Sequence, residues 1–315
     1  MSAQSTSRAM SETTRIARWR DSDLFYSFSH SPLAIVSAFI AAVCFIGAAF
    51  APVLAPHDPF DIASLSLLDS FKPPIFLADG TWSNVLGSDE QGRDVLSAIM
   101  YGARVSLIVG ASAVVFAMVL GIAIGLVSGF AGGIGDAILM RAADVQLTFP
   151  AILMALLVDG VVGALVPKSV HDQVQIYVIV FAIGISRWPQ FARTVRGSTM
   201  VERGKDYVAA ARVIGTSGPR ILARHILPNV LGPVLVIGTL TLGLAILDEA
   251  TLSFLGVGLP ATQPSLGTLI RIGDDFLYSG QWWVTVFPGA ALVLMVLSIN
   301  LLGDWLRDAL NPRLR

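Results

Sequence analysis

Long apolar segments alternate with shorter polar ones along the chain. A membrane core of about 30 Å needs roughly 20 mostly apolar residues per helix. Segments of about that length recur six times, although the fourth is shorter and carries Arg187 near one end, where a long side chain reaches the interface. The pattern predicts six spanning helices, over residues 33–55, 105–129, 138–160, 174–191, 229–248 and 284–303.

The composition also indicates an all-α membrane protein. Of the 315 residues, 54% are hydrophobic and 14% are charged, which is too apolar for a soluble domain of this length. The single cysteine, Cys44, excludes an intrachain disulfide and a cysteine-based metal site. No cleavable signal peptide is expected, because the first 31 residues are polar and the first apolar segment lacks a convincing cleavage site.

Basic residues set the expected orientation, because they collect on the cytoplasmic side of a membrane. With six spans, 16 of the 21 Lys and Arg residues fall on one side. We therefore expect that side to be cytoplasmic and to hold both termini. The expected organisation is a cytoplasmic tail at 1–32, a first span at 33–55, an extracytoplasmic loop at 56–104, a five-helix core at 105–303 with a cytoplasmic loop at 192–228, and a cytoplasmic tail at 304–315.

The motifs of an enzyme are missing. The four histidines lie in separate segments without metal-ligand spacing. Asp89, Glu90 and Asp94 lie close together, but pairing with arginine in a solvated loop is the favoured interpretation over a metal site. The nearest approach to a phosphate-binding GxxxxGK[ST] loop, at 197–206, has the wrong spacing. The chain is therefore not expected to hydrolyse ATP by itself or to bind a cofactor or metal.

A polar segment, 206–229, reads DYVAAARVIGTSGPRILARHILPN. Its helix-forming residues run to Ile214 without a breaker, and Gly215 suits the left-handed position past a helix end. Gly218-Pro219 suits the cap and first position of a second helix, and Leu-Pro-Asn at 227–229 redirects the chain into the next span. Two short cytoplasmic helices fit both a docking surface for another protein and an amphipathic connector on the lipid headgroups, and both interpretations stay open.

Six residues of this segment fall on the spacing of the EAA motif: Ala209, Ala210, Ala211, Gly215, Leu227 and Pro228. Four other motifs follow the same order along the chain: GSDEQGRDV at 87–95, DVQLTFP at 144–150, SFLGVG at 253–258 and NLLGDWLRDALNP at 300–312. With these motifs the chain resembles the permease subunits of binding-protein-dependent ABC importers. The resemblance is to the dipeptide, oligopeptide and nickel branch, of the dipeptide permease C type.

The resemblance implies a type I ABC importer permease fold of about six transmembrane helices in the bacterial inner membrane. It implies four kinds of partner: a homologous permease subunit, two ATPase subunits that use ATP and Mg, an extracytoplasmic solute-binding protein and the lipid bilayer. No nucleic acid is expected. The 192–228 loop would hold the coupling helix that contacts the ATPase. The contact residues implied are Asp206, Tyr207, Ala209, Ala210, Ala211, Arg212, Gly215, His225 and Pro228.

Four residues are candidates for the translocation path or its gate: Asp159, Asn300, Ser253 and Phe254. The chain departs from the family pattern at Ala209, where the motif has glutamate, and at Leu266, where tryptophan is usual. The cargo stays open between peptides, nickel chelates and another small solute. A secondary transporter working without ATP is the alternative from another class, although such proteins show inverted repeats and a charged midplane site.

Overall fold

The computed structural model describes residues 23–61, 66–260 and 263–309, and the regular elements in these ranges are helices. In chain order they are α1 Asp23–Ser29, α2 Pro32–Ala49, α3 Ala51–Leu54, α4 Val95–Ala131, α5 Gly133–Thr148, α6 Ala151–Leu165, α7 Lys168–Arg203, α8 Asp206–Val213, α9 Gly218–Ile221, α10 Leu227–Phe254, α11 Leu266–Asp274 and α12 Trp283–Ala309. A π-helical turn, Leu222–Ile226, joins α9 to α10. Most of the N-terminal tail and the last six residues lie outside the described ranges.

Four of these helices are long and apolar enough to cross a membrane. They are α2, α4, the continuous helix Gly218–Phe254 that includes α10, and α12. A fifth crossing results if α5 and α6 form one broken span. The fourth predicted segment, 174–191, lies inside the 36-residue helix α7. Charged residues towards both ends of α7 and Arg187 near its middle make this helix more polar than the other four.

The third apolar segment, 138–160, is not one straight helix but is bent sharply in its middle. Helix α5 ends at Thr148, α6 begins at Ala151, and their axes meet at 93°. Phe149 between them has φ −85° and ψ 127°. A residue before proline avoids the helical region, and Pro150 has no N–H to donate to a preceding turn, so the break follows from this Phe-Pro step.

Helices α4 and α7 pack against each other along a row of glycines. A Cβ added at Gly125 would lie 2.5 Å from the carbonyl oxygen of Ala192, and one at Gly129 would lie 2.8 Å from that of Arg196. Small residues such as Gly121 and Gly125 let backbones approach closely, which accounts for this packing. The pairs advance in the same direction along both helices, so α4 and α7 are parallel and the bent α5–α6 segment returns the chain between them.

The remaining contacts fix the directions of the other long helices. Helix α10 runs antiparallel to α4, since Ser106 bonds Glu249 while Gly110 packs on Ile246. It also runs antiparallel to α12, because Gly243 packs on Asn300 while Gly303 lies by Thr239. Phe28, just before α2, meets Trp305 near the end of α12. Consecutive long segments therefore alternate in direction, counting α5–α6 as one segment.

A folded cap precedes α4. Asp94 caps this helix, with Oδ2 accepting from the backbone N–H of Ser97 at 2.8 Å. The helix thus starts at Val95, so the last ten residues of the predicted 56–104 loop are helical. Asp89 accepts N–H groups from Gln91 and Arg93. Among the described residues no group of three His, Cys, Asp or Glu side chains is arranged to hold a metal.

Candidate coupling site

A hydrogen-bonded anchor joins the two ends of the polar loop. Glu202, in the last turn of α7, accepts from Lys205 Nζ at 2.6 Å and from the Tyr207 hydroxyl at 2.5 Å. Asn229, at the start of α10, donates from Nδ2 to the Tyr207 hydroxyl at 3.3 Å and to the carbonyl oxygen of His225 at 2.7 Å. Tyr207 therefore ties the first turn of α8 to both α7 and α10.

The charges at this anchor reinforce each other. The hydrogen bond from Lys205, followed by that from Tyr207, lowers the pKa of Glu202. Burial, followed by the bond to Glu202, raises the pKa of Tyr207. Near neutral pH the tyrosine is a neutral donor and the glutamate a charged acceptor, a combination stronger than a neutral pair. The carboxylate that holds the loop thus comes from α7, while Ala209, at the motif glutamate position, is exposed.

Helix α8 has a buried face and an exposed face. Val208 and Ala211 are buried, whereas Asp206, Ala209, Ala210 and Arg212 are exposed. Ala211, one of the contact residues that the resemblance implies, therefore packs inward and does not belong to the exposed face of α8. Two apolar residues at the end of the helix are exposed instead: Val213 is 88% exposed and Ile214 is 82% exposed.

Gly215 ends α8 in the predicted left-handed conformation, with φ +84°. The N–H of Thr216 donates to the carbonyl oxygen of Ala211, and the N–H of Gly215 donates to that of Arg212, both at 3.0 Å. This pair of bonds is the Schellman motif, which satisfies the last carbonyl groups of a helix. No atom lies within 4 Å of a Cβ built on Gly215, so the backbone conformation alone selects glycine here.

The second short helix differs from its prediction at both ends. Its cap is Ser217, so Gly218 is the first helical residue and Pro219 follows it. Leu227 and Pro228 do not redirect the chain, because the π turn continues α9 into α10 and the N–H of Leu227 bonds the carbonyl oxygen of Leu222. Pro228 cannot donate to a preceding turn and its ring crowds the carbonyl four residues back, which a wider turn relieves.

Phe130, at the end of α4, packs against the loop that holds α8 and α9. Its carbonyl oxygen accepts from Arg203 Nη1 at 2.7 Å, and its ring lies 5.5 Å from the guanidinium carbon of Arg212. A Cβ on Gly218 would lie 3.3 Å from the same ring. Phe130 thus contacts the end of α7 together with α8 and α9. No sequence pattern distinguishes Phe130, since it ends an apolar segment as many other residues do.

The four path candidates lie on three helices: Asp159 on α6, Ser253 and Phe254 at the end of α10, and Asn300 on α12. Asp159 in α6 accepts from Gln175 Nε2 at 2.7 Å, and the same amide donates to the carbonyl oxygen of Val257 at 3.2 Å. Asn300 in α12 packs against Gly243, ten residues before Ser253 along α10. Asn300 thus lies about 15 Å from Ser253 along the α10 axis, whereas Gln175 links Asp159 to Val257, four residues after Ser253.

Ser253 belongs to a buried cluster around a residue that sequence reasoning missed. Its hydroxyl donates to Glu249 Oε1, and the Ser106 hydroxyl donates to Glu249 Oε2, both at 2.7 Å. Glu249 is fully buried. The backbone N–H of Leu266 donates to the Ser106 oxygen at 3.3 Å. The cluster around Glu249 thereby joins α4, α10 and α11, whereas Phe254, next to Ser253, is 41% exposed.

Arg187 also has a different environment from the one predicted. Its Nε and Nη2 atoms donate to Asp248 Oδ2 at 2.9 and 2.5 Å, and the two side chains are only 14% and 15% exposed. The side chain is therefore paired across α7 and α10, and the expectation that it reaches the interface is wrong. The predicted fifth span ends at Asp248 and leaves Glu249 in the following loop, whereas α10 continues to Phe254.

Comparison with known proteins identifies the family of this chain. Residues 121–315, more than half of the chain, match the family described as binding-protein-dependent transport system inner membrane component. The chain belongs to this family. Residues 18–74 of this inner membrane component match the N-terminal TM domain of oligopeptide transport permease C. It is accordingly a multi-pass inner membrane protein.

Relatives of this inner membrane component span nearly its whole length. The di/tripeptide transport system permease protein DppC of Pseudomonas aeruginosa (strain UCBPP-PA14) is 37% identical over 93% of this chain and 92% of its own. The dipeptide transport system permease protein DppC of Escherichia coli (strain K12) is 37% identical over 93% of each chain. The oligopeptide transport system permease protein OppC of Bacillus subtilis (strain 168) is 35% identical over 95% of this chain and 91% of its own.

A solved structure gives the fold of this inner membrane component. A chain of the MetNI methionine ABC transporter, in an inward-facing conformation, matches with a TM-score of 0.52 and 20% identity. The match covers 67% of this chain and 95% of the other. The fold is therefore the all-α type I ABC importer permease fold that the sequence motifs implied.

Proposed function

We propose that this chain is the permease subunit of an ATP-driven ABC importer that takes up di- or oligopeptides. With a homologous permease subunit it would enclose the path for peptides delivered by an extracytoplasmic binding protein. Two separate ATPase subunits would bind ATP and Mg, so this chain would carry no catalytic group. Peptide is preferred over nickel chelates or another small solute because relatives that match almost the whole chain are named as peptide permeases.

The observation that carries the proposal is the geometry of the loop between α7 and α10. A short helix is anchored at its start by Tyr207, capped at its end by Gly215, and presents exposed Val213 and Ile214 at its tip. Exposed apolar residues supported by a rigid frame are typical of a protein contact site. We assign this tip, with exposed Ala210 and Arg212, to the groove of the ATPase subunit.

The proposed topology has six crossings with both termini in the cytoplasm. The alternation of helix directions supports six, with α5–α6 and α7 each counted as one crossing. The basic residues around α8 support a cytoplasmic position for this loop. Movement of α8 on ATP binding would then shift the bundle between inward-facing and outward-facing arrangements, as expected for a population shift between two states.

Uptake of labelled Ala-Ala into proteoliposomes that hold the complete complex tests the proposal. Binding protein and peptide are supplied outside, and ATP or no nucleotide is enclosed on the ATPase side. We expect uptake that requires both ATP and binding protein. Uptake that persists without ATP would favour the secondary transporter, and ATP-dependent uptake of a nickel chelate but not of any peptide would refute the peptide cargo.

A further inference from the structure

The pair Arg187–Asp248 lies deep within the helical bundle. Arg187 is 19 residues from the start and 16 residues from the end of α7, or about 28 Å and 24 Å along the helix axis at 1.5 Å per residue. Its partner, Asp248, lies in a helix that is apolar enough to span the membrane. Charged side chains at such a depth are costly, and they usually face a bundle interior or a water-filled cavity.

The geometry of the pair leaves one atom of each partner open. Both hydrogen bonds from Arg187 end on the same oxygen, Asp248 Oδ2. Within the described part of the chain, neither Asp248 Oδ1 nor Arg187 Nη1 makes a hydrogen bond. Neither of these two atoms is fully enclosed by the protein. Both atoms therefore reach the molecular surface. A purely structural buried pair needs its remaining donors and acceptors satisfied.

The surface beside this pair is open in the isolated chain. Leu244 and Leu247, on the turns of α10 next to Asp248, are 40% and 46% exposed. By contrast, Glu249 is fully buried and directed at Ser106 and Ser253. The two adjacent carboxylates thus differ in environment: one is enclosed by hydroxyl groups of its own bundle, and the other lies at the edge of an exposed face.

We propose that Arg187 and Asp248 form a contact site for charged groups of the transported peptide. A cationic group, such as the amino terminus or a lysine side chain, would bind Asp248 Oδ1. An anionic group, such as the carboxyl terminus or an aspartate side chain, would bind Arg187 Nη1. This inference rests on the proposed peptide transport, and it adds a residue pair that discriminates peptides by charge inside the membrane.

Removing one charge at a time tests the site. Asp248→Asn leaves an unpaired arginine, which should disfavour Ala-Lys relative to Ala-Asp, and Arg187→Gln should do the opposite. We expect the uptake ratio of Ala-Lys to Ala-Asp to change about fivefold in opposite directions in the two variants. The wild-type binding protein is present throughout, so its own preference cancels when each variant is compared with the wild type.

Conservative and distant variants serve as controls. Asp248→Glu and Arg187→Lys keep the charges and should keep the wild-type ratio. Arg196, elsewhere on α7, pairs with Asp136 of α5 at 2.6 Å. Arg196→Gln removes this arginine and should also keep the wild-type uptake ratio. Equal losses for both peptides in D248N and R187Q would overturn the site and indicate a structural pair. Absence of peptide uptake by the wild-type complex would instead refute the proposed function.

A second measurement leaves the pair intact in case the charge variants fail to assemble. A cysteine at Leu247 is placed in a Cys44→Ala background and labelled with a maleimide in the assembled complex. We expect Ala-Ala, supplied with binding protein and ATP, to slow labelling severalfold relative to binding protein and ATP alone. Labelling at the same rate with and without Ala-Ala would overturn a cargo contact at this position.

Discussion

Replacement of Gly215 tests how far the coupling loop depends on one backbone conformation. Its φ of +84° is rarely adopted by residues with a Cβ, and no neighbouring atom lies within 4 Å of the added carbon. Steric contact with other parts of the chain therefore adds nothing to the free-energy cost of replacing Gly215. That cost comes from the left-handed backbone conformation alone. For alanine this is about 1–2 kcal/mol. Valine should cost more and asparagine less, since asparagine tolerates this conformation.

That cost can be measured at the two hydrogen bonds of the helix end. Opening of this end frees the N–H groups of Gly215 and Thr216 from the carbonyl oxygens of Arg212 and Ala211. A destabilisation of about 1–2 kcal/mol raises the open population roughly 5- to 30-fold. Hydrogen exchange at Thr216 should accelerate by that factor in Gly215→Ala. In the assembled importer, Gly215→Val should uncouple ATP hydrolysis from peptide uptake.

Gly197 provides the matched control. It too has no atom within 4 Å of an added Cβ, but it lies inside α7 with a right-handed backbone. Gly197→Ala should therefore stabilise its helix by about 0.5–1 kcal/mol and leave Thr216 exchange unchanged. Equal exchange rates for Asn, Ala and Val at position 215 would contradict a cost set by the left-handed backbone. A Val variant that couples ATP hydrolysis to uptake as the wild type does would contradict the role of this conformation in coupling.

Three further predictions concern neighbouring parts of the structure. A cysteine at exposed Ala210 should crosslink to the ATPase subunit, whereas one at buried Ala211 should not; crosslinks from both or only to lipid would contradict the docking surface. Tyr207→Phe removes the donor to Glu202 and should speed exchange in the first turn of α8 near neutral pH. The pKa of Glu202 is lowered from 4.5, so its contribution to stability is present above about pH 4.5 and is lost as the pH falls through the lowered pKa. Acid should therefore abolish the difference in exchange rate between Tyr207→Phe and the wild type. Glu249→Ala leaves two buried hydroxyl groups without an acceptor, at about 1–3 kcal/mol each, and should lower the Tm of the purified chain more than Glu249→Gln; equal Tm values would contradict this role.

Features that depend on local chemistry could be predicted from the sequence. Apolar segment length located the long helices, and the position of Gly215 after a run of helix formers located the left-handed end of α8. Gly121 and Gly125 indicated close packing, although they did not identify α7 as the partner. These features follow from residues a few positions apart, or from the helix on which they lie.

Features that depend on distant partners could not be predicted. Arg187 looked like an interfacial residue because its partner, Asp248, is 61 residues away. Glu249 was assigned to a loop because an apolar run ends just before it, although hydroxyl groups from two helices make its burial possible. The π turn before Pro228 was also missed, because a helix can either end before a proline or widen to accommodate it.

The glycine row between α4 and α7 has a mechanical consequence. Because Gly121, Gly125 and Gly129 contribute no side chain, the backbone of α4 lies directly against the backbone and the Cβ atoms of α7 along this row. Helix α7 measures about 54 Å over its 36 residues at 1.5 Å per residue, and only Gly204 and Lys205 separate it from α8. A displacement of α8 by a few ångströms would therefore act directly on the end of α7, and the contact along the glycine row would carry it to α4.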